Sequence, residues 1–191
     1  MRLKRPKRFA SVYKETEMKI ETLLWLFPVI FMIHDFEEVI FLKPWLRRNK
    51  ESLAEAFPFF ARVMAHIDGL STPAYTLVVA EEFLLLSAVT LVCAEFELFN
   101  VFAAVQLVFM VHLIVHAAQV ILIKRYAPVI VSTLIAGVYS MYALQYLFLN
   151  GLLFYRHVLI FSLIAAVFFG LNFMVAHFLA SYYDLKMKPG E

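Results

Sequence analysis

Four ionisable side chains stand within five positions at His34-Asp35-Phe36-Glu37-Glu38, at the end of an apolar run that begins at Leu23. Such groups are costly to take out of water, and inside a bilayer each carboxylate needs a partner, a bound cation or a proton. On a helix His34 and Glu38 lie about 40° apart around the axis and His34 and Glu37 about 60°, so these three project from one face while Asp35 points elsewhere. One imidazole and two carboxylates converging on a point suit a first-row divalent metal.

The elements that must carry this string are apolar. Hydrophobic residues make up 63% of the 191 and charged residues 17%, against roughly 45–50% and 25% in soluble domains, and the mean hydropathy is +0.78. The composition is that of an integral membrane protein, with no room for a separate soluble module. Seven of the 17 Lys and Arg precede Ile20. That basic arm suits anionic lipid headgroups and not nucleic acid, because no polar folded region accompanies it. No small-x-small cleavage site follows the first apolar stretch, so it does not read as a cleavable signal. The single cysteine, Cys93, excludes an internal disulfide and a multi-cysteine metal site.

The expected fold is all-α, a polytopic membrane bundle of about five hydrophobic segments. Residues 1–21 form the basic arm, 22–183 one transmembrane domain and 184–191 a short polar tail. The segments run from about Thr22 to Leu42, Pro73 to Cys93, Leu98 to Ile123, Pro128 to Leu149 and His157 to Tyr182, with Pro73 in the first turn of its helix and Asn150-Gly151 as a turn. Within the Lys43–Thr72 loop, Leu53, Phe57, Phe60 and Met64 recur at helical spacing, which predicts a surface helix over Ser52 to His66. Only about a dozen residues of the first segment are cleanly lipid-compatible, short of the roughly 20 that span a hydrocarbon core. If that segment crosses, the basic residues divide almost evenly between the two sides; if it is re-entrant or strongly bent, nearly all fall on one side. Both paths stay open.

Counted inward from the same membrane face, His34, Glu81 and His116 each lie eight or nine residues deep, a depth of roughly 12–14 Å. His112, His116 and Gln119 form a polar stripe on an otherwise apolar helix. Three helices therefore supply acid or imidazole at one level. The candidate metal ligands are His34, Glu38, Glu81, His112 and His116, and the candidate catalytic carboxylates are Glu37 and Glu82. Imidazole with carboxylate fits zinc, iron or manganese, as one ion or two, and the absence of thiolates argues against a closed structural zinc site. A glutamate outside the ligand set serves as a general base.

Isolated membrane histidines are more often packing residues than ligands, which is the reading for His157, His177 and His66. Glu95 and Glu97 belong to a solvated link. The Phe and Tyr residues read as lipid-facing and packing material.

The string His34 to Glu38 resembles the signature of the HXXEE-domain family of predicted membrane proteins. The resemblance extends to Trp25-Leu26-Phe27-Pro28, Ala80-Glu81-Glu82-Phe83, the His112 and His116 segment, and Tyr126-Ala127-Pro128. It covers roughly residues 22 to 135. The family pattern at the last site is Tyr-x-Pro-Gly, and this chain has Val129 where glycine is expected. The resemblance implies no function. A weaker one is to the CAAX-protease-like intramembrane glutamate peptidases, through Glu81-Glu82 and Phe173-x-x-x-His177, but Leu86 stands where their arginine belongs.

The leading expectation is a metal-dependent membrane enzyme, hydrolase or oxidoreductase, acting on a lipid or other amphiphilic substrate in a bacterial or archaeal cytoplasmic membrane. The alternative is a binding or transport protein that uses the same residues for an ion or a proton relay. No nucleic-acid partner is expected.

Overall fold

The computed structural model describes residues 7–56, 58, 61–123 and 128–187, with side chains from residue 20 onward except those of Ala56 and Ile123. Residues 1–6, Phe57, Phe59, Phe60, Lys124 to Ala127 and the tail from Lys188 lie outside it, so the extreme basic arm and the Tyr126-Ala127 part of the family pattern are not described. Seven α-helices follow in order: α1 (Lys7–Glu37), α2 (Lys43–Ala56), α3 (Ala61–Gly69), α4 (Thr72–Glu95), α5 (Phe99–Ile123), α6 (Ile130–Leu149) and α7 (Tyr155–Met187). No strand occurs among the described residues.

Helices α4 to α7 are each long and apolar enough to cross a membrane. By that measure the described residues hold four such helices, and a fifth is not among them because the apolar run of α1 is bounded by Glu21 on one side and by Asp35 and Glu37 on the other. Helix α1 nonetheless packs lengthwise against them. At its middle Leu23 meets Tyr139 of α6, and at its end Glu37 meets Ser132, so α1 and α6 run antiparallel. Phe27 meets Phe102 and His34 meets His112, so α1 and α5 run parallel. The chain stays helical from Lys7 to Ala56, through a π-helical turn at Glu38–Leu42, and therefore does not dip and return within the first segment. Pro28 deprives the Leu24 carbonyl of its helical donor, and beside it the Tyr139 hydroxyl donates to the Leu23 carbonyl at 2.7 Å.

Local signals explain the element ends. Ser71 caps α4, its hydroxyl accepting from Ala74 N–H at 3.2 Å, with Pro73 in the first turn. The surface helix expected over Ser52–His66 is instead two helices, α2 ending two residues before Pro58 and α3 beginning at Ala61. A proline disfavours the helical conformation of the residue before it.

The core centres on Phe27, which packs edge-on to Phe102 and tilted against Phe109, with Leu24, Leu86, Val105 and Leu113 around it. A second apolar cluster, including Leu46, Leu53, Leu70 and Tyr75, seats α2 and α3 over one end of α4 and α7. There Ser71 N–H donates to Asp184 at 2.6 Å, tying α4 to the far end of α7. Lys43 at the start of α2 donates to the Leu70 carbonyl. The wide turn at Glu38 meets α4 and α5, while α6 lies against the end of α1 just before it.

Candidate metal centre

His34 is wholly buried on the last turns of α1, and Glu38 opens the π-helical turn. One wide turn of this kind is frequently found at functional sites, because it re-aims side chains without ending the helix. His112 and His116 follow each other at four residues on α5, one above the other on the same face.

Four atoms meet. His34 Nε2 lies 3.2 Å from His112 Nε2, and His112 Nε2 lies 3.1 Å from His116 Nε2. Glu38 Oε1 lies 2.7 Å from His116 Nε2, 3.5 Å from His112 Nε2 and 3.6 Å from His34 Nε2. All four ligand atoms fall within 4.8 Å of one another. Tetrahedral ligands at a zinc–nitrogen distance of about 2.0–2.1 Å are separated by about 3.3–3.4 Å, so the spacing fits a single divalent ion. His112 Nε2 carries at most one hydrogen and faces three atoms, so it can donate to only one of them.

The surrounding hydroxyls turn the donors inward. Ser132 Oγ donates to the Val129 carbonyl at 3.1 Å, which uses its only hydrogen. Towards His34 Nδ1, at 3.0 Å, it must therefore accept. That places the His34 proton on Nδ1 and leaves the Nε2 lone pair facing the centre, the orientation a metal ligand requires. Tyr75 of α4 donates to Glu38 Oε2 at 2.8 Å, leaving Oε1 for the histidines. His34, Glu38 and His116 are buried, while the His112 side chain is 46% exposed and opens onto a neighbouring cavity.

The other carboxylates singled out from the sequence go elsewhere. Glu37 turns to the start of α6, where its Oε2 accepts from Ser132 N–H at 3.0 Å. It thus serves one of the free donors of that helix end with a favourable charge. Glu81 accepts from Asn172 of α7 at 3.0 Å. Glu82, a further 100° around α4, lines the cavity instead. His177 packs its ring against Phe173, Tyr75 and His66, outside the four-residue group.

Two contributors were not singled out in the sequence, and a third, Asp35, was set aside as pointing elsewhere. Tyr75 and Ser132 are ordinary residues of apolar helices, and nothing in their spacing marks them. Asp35 carried a readable signal. It continues the face of Phe27 and Phe31 at four-residue steps, is 4% exposed, lines the cavity and leaves Oδ2 without a hydrogen-bond partner among the described residues.

Val129, standing where the family resemblance leads one to expect glycine, has φ of 74°. The backbone keeps the left-handed conformation that glycine adopts freely and a β-branched residue resists. The turn delivers Ser132 to both Glu37 and His34.

No curated protein and no solved structure gives a significant match to the chain. A family model described as a protein of unknown function with HXXEE motif matches residues 25–144, a stretch that holds all four clustered residues and stops short of α7. The chain therefore belongs to the HXXEE family, and the histidine and second glutamate of its motif are two of the four groups that converge here.

Proposed function

We propose that this chain is an integral membrane enzyme that binds a divalent transition metal, zinc, iron or manganese, through His34, Glu38, His112 and His116, and hydrolyses a lipid or related amphiphile. The observation that carries the reading is the convergence of three imidazoles and one carboxylate at metal-ligand spacing, beside an apolar cavity. A bound ion of this kind supplies Lewis-acid activation of water or of a substrate carbonyl.

The chain's own residues have separable parts. Ser132 and Tyr75 orient His34 and Glu38. His112, exposed to the cavity, marks the side from which substrate approaches. Glu82 lines that cavity without joining the four ligands, which suits it to take and return a proton during hydrolysis. The apolar walls exclude bulk water. A second ion is not needed to account for these groups.

The test is incubation of the purified protein with a membrane lipid extract in heavy-oxygen water, followed by mass spectrometry of the lipids and metal analysis of the protein. Wild type is expected to hold one metal per chain and to yield products carrying oxygen from water. Glu82→Gln is expected to keep the metal and lose the products. Products that gain oxygen without the heavy label would replace hydrolysis by oxidation. A metal-free wild type that moves protons or ions across vesicles would replace the enzyme by a relay.

A further inference from the structure

The cavity beside the four clustered residues has a volume of about 380 Å³ and lies between α1, α4, α5 and α7. Its walls change character along its length. On α1 the lining residues are Phe27 and Phe31, then Asp35 and Glu38. On the antiparallel α4 they run from Leu86 through Glu82 to Tyr75. Phe27 and Glu38 are eleven residues apart, so the cavity extends about 16 Å along the helices. One end is hydrocarbon, and the other holds carboxylates, a phenol and His112.

On α7 the wall is interrupted by small residues. Ala166 and Gly170 stand one turn apart on the lining face, and both remain accessible. Glycine in an apolar helix commonly permits a neighbouring helix to approach closely. Gly170 does not act in that way, because a Cβ added there would meet nothing within 4 Å. Its missing side chain leaves space. Gly170 is also less than one turn from Asn172, which is bonded to Glu81 at the carboxylate end of the cavity. A large side chain at Gly170 would close the cavity just beyond its polar end.

We infer that the cavity seats a single hydrocarbon chain of a membrane lipid, with the lipid's polar group at the His34, Glu38, His112 and His116 centre, and that Gly170 is the residue that keeps the passage open. The occupant follows from the gradient. A chain with one polar end matches an apolar channel capped by charged and imidazole groups, whereas a peptide would bring backbone donors and acceptors that the Phe and Val walls leave unsatisfied. The inference deepens the proposed function and rests on it for the lipid's head, but the seat for the chain can be tested without a metal.

The experiment uses the full chain in lipid nanodiscs with a photoreactive fatty acid whose diazirine sits at the end of the chain. Val105 and Phe109 line the cavity and are buried, so label on them requires a chain inside the bundle. Leu163 and Val167 are exposed on α7 and report ordinary surrounding lipid. Wild type and Gly170→Ala are expected to label Val105 or Phe109, and Gly170→Phe to lose that inner label by about tenfold while keeping the outer label, since a filled pocket forfeits its apolar contacts. Ala166→Leu, a smaller insertion on the same face, should show the same loss if Gly170→Phe fails to assemble. Label confined to Leu163 and Val167 in wild type, or inner label unchanged by both insertions, would overturn the inference. Metal analysis of the same samples separates the two readings. Inner label in a metal-free protein upholds the chain site and removes the metal, whereas a metal-loaded protein without inner label removes the chain site alone.

Discussion

Two groups of histidines in this chain share hydrophobic surroundings and differ in what their ring nitrogens face. His112 and His116 on α5 share one centre with His34 and Glu38, and the donors around them are aimed by Ser132 and Tyr75 from two further helices. His177 on α7 lies 4.2 Å, centroid to centroid, from Phe173 and 5.2 Å from His66, and neither ring nitrogen has a hydrogen-bond partner among the described residues. What separates the four-residue group from the packing histidine is a carboxylate at the same level, Glu38 Oε1 at 2.7 Å from His116 Nε2, and, for His34, a hydroxyl facing its other nitrogen. Hydrophobic surroundings are common to both.

The largest effects should come from breaking the first group. Glu38→Ala or His116→Ala removes one of four donors and is expected to abolish stoichiometric metal binding in purified protein. His177→Leu should leave the metal content unchanged. If His177→Leu lost metal as completely as His116→Ala, the distinction between the two groups would collapse.

Next in size are the residues that aim the ligands. Ser132→Ala leaves His34 Nδ1–H unpaired in a buried place, and outer partners of this kind typically contribute about 10–100-fold in metal affinity. Competition with a chelator would measure it. Wild-type affinity in Ser132→Ala would mean that His34 is held by packing alone.

Glu37 sharpens the comparison from the other side, since it belongs to the motif but not to the centre. Glu37→Gln keeps an acceptor for Ser132 N–H and loses only the charge at the α6 N-terminus, a loss of about 1 kcal/mol. A modest fall in thermal stability with full metal content is expected, and loss of metal would place Glu37 in the ligand set.

The smallest effect concerns Val129, which is 1% exposed and has positive φ. Both Val129→Ala and Val129→Gly remove buried methyl groups, but only glycine relieves the left-handed backbone, by about 1 kcal/mol. Glycine should therefore be the less destabilising of the two, the reverse of their usual order in helices. Alanine melting above glycine would show that the turn carries no strain.

Much of this was legible in the sequence. Long apolar runs place α4 to α7 within a few residues of their ends, because hydrophobic length needs no partner to be read. The meeting of His34 with His112 and His116 follows from counting depth along separate helices. The choice between neighbours does not. Glu37 and Glu38, like Glu81 and Glu82, are single steps apart, and 100° of rotation sends one of each pair to the four-residue group or the cavity and the other to α6 or α7. Which goes where depends on the π-helical turn and on the neighbouring helices, and no local pattern announces either. Tyr75 and Ser132 were hidden for a simpler reason, as their hydroxyls become informative only when a histidine or carboxylate is seen opposite them.

The central claim is that four side chains from one end of α1 and the middle of α5 hold one ion. X-ray absorption at the edge of whichever metal co-purifies with the wild-type protein tests it most directly. About three imidazole nitrogens and one carboxylate oxygen are expected at about 2.0–2.2 Å, with the imidazole scattering reduced in His34→Ala. A metal surrounded by oxygen alone, or a spectrum unchanged in His34→Ala, would contradict it.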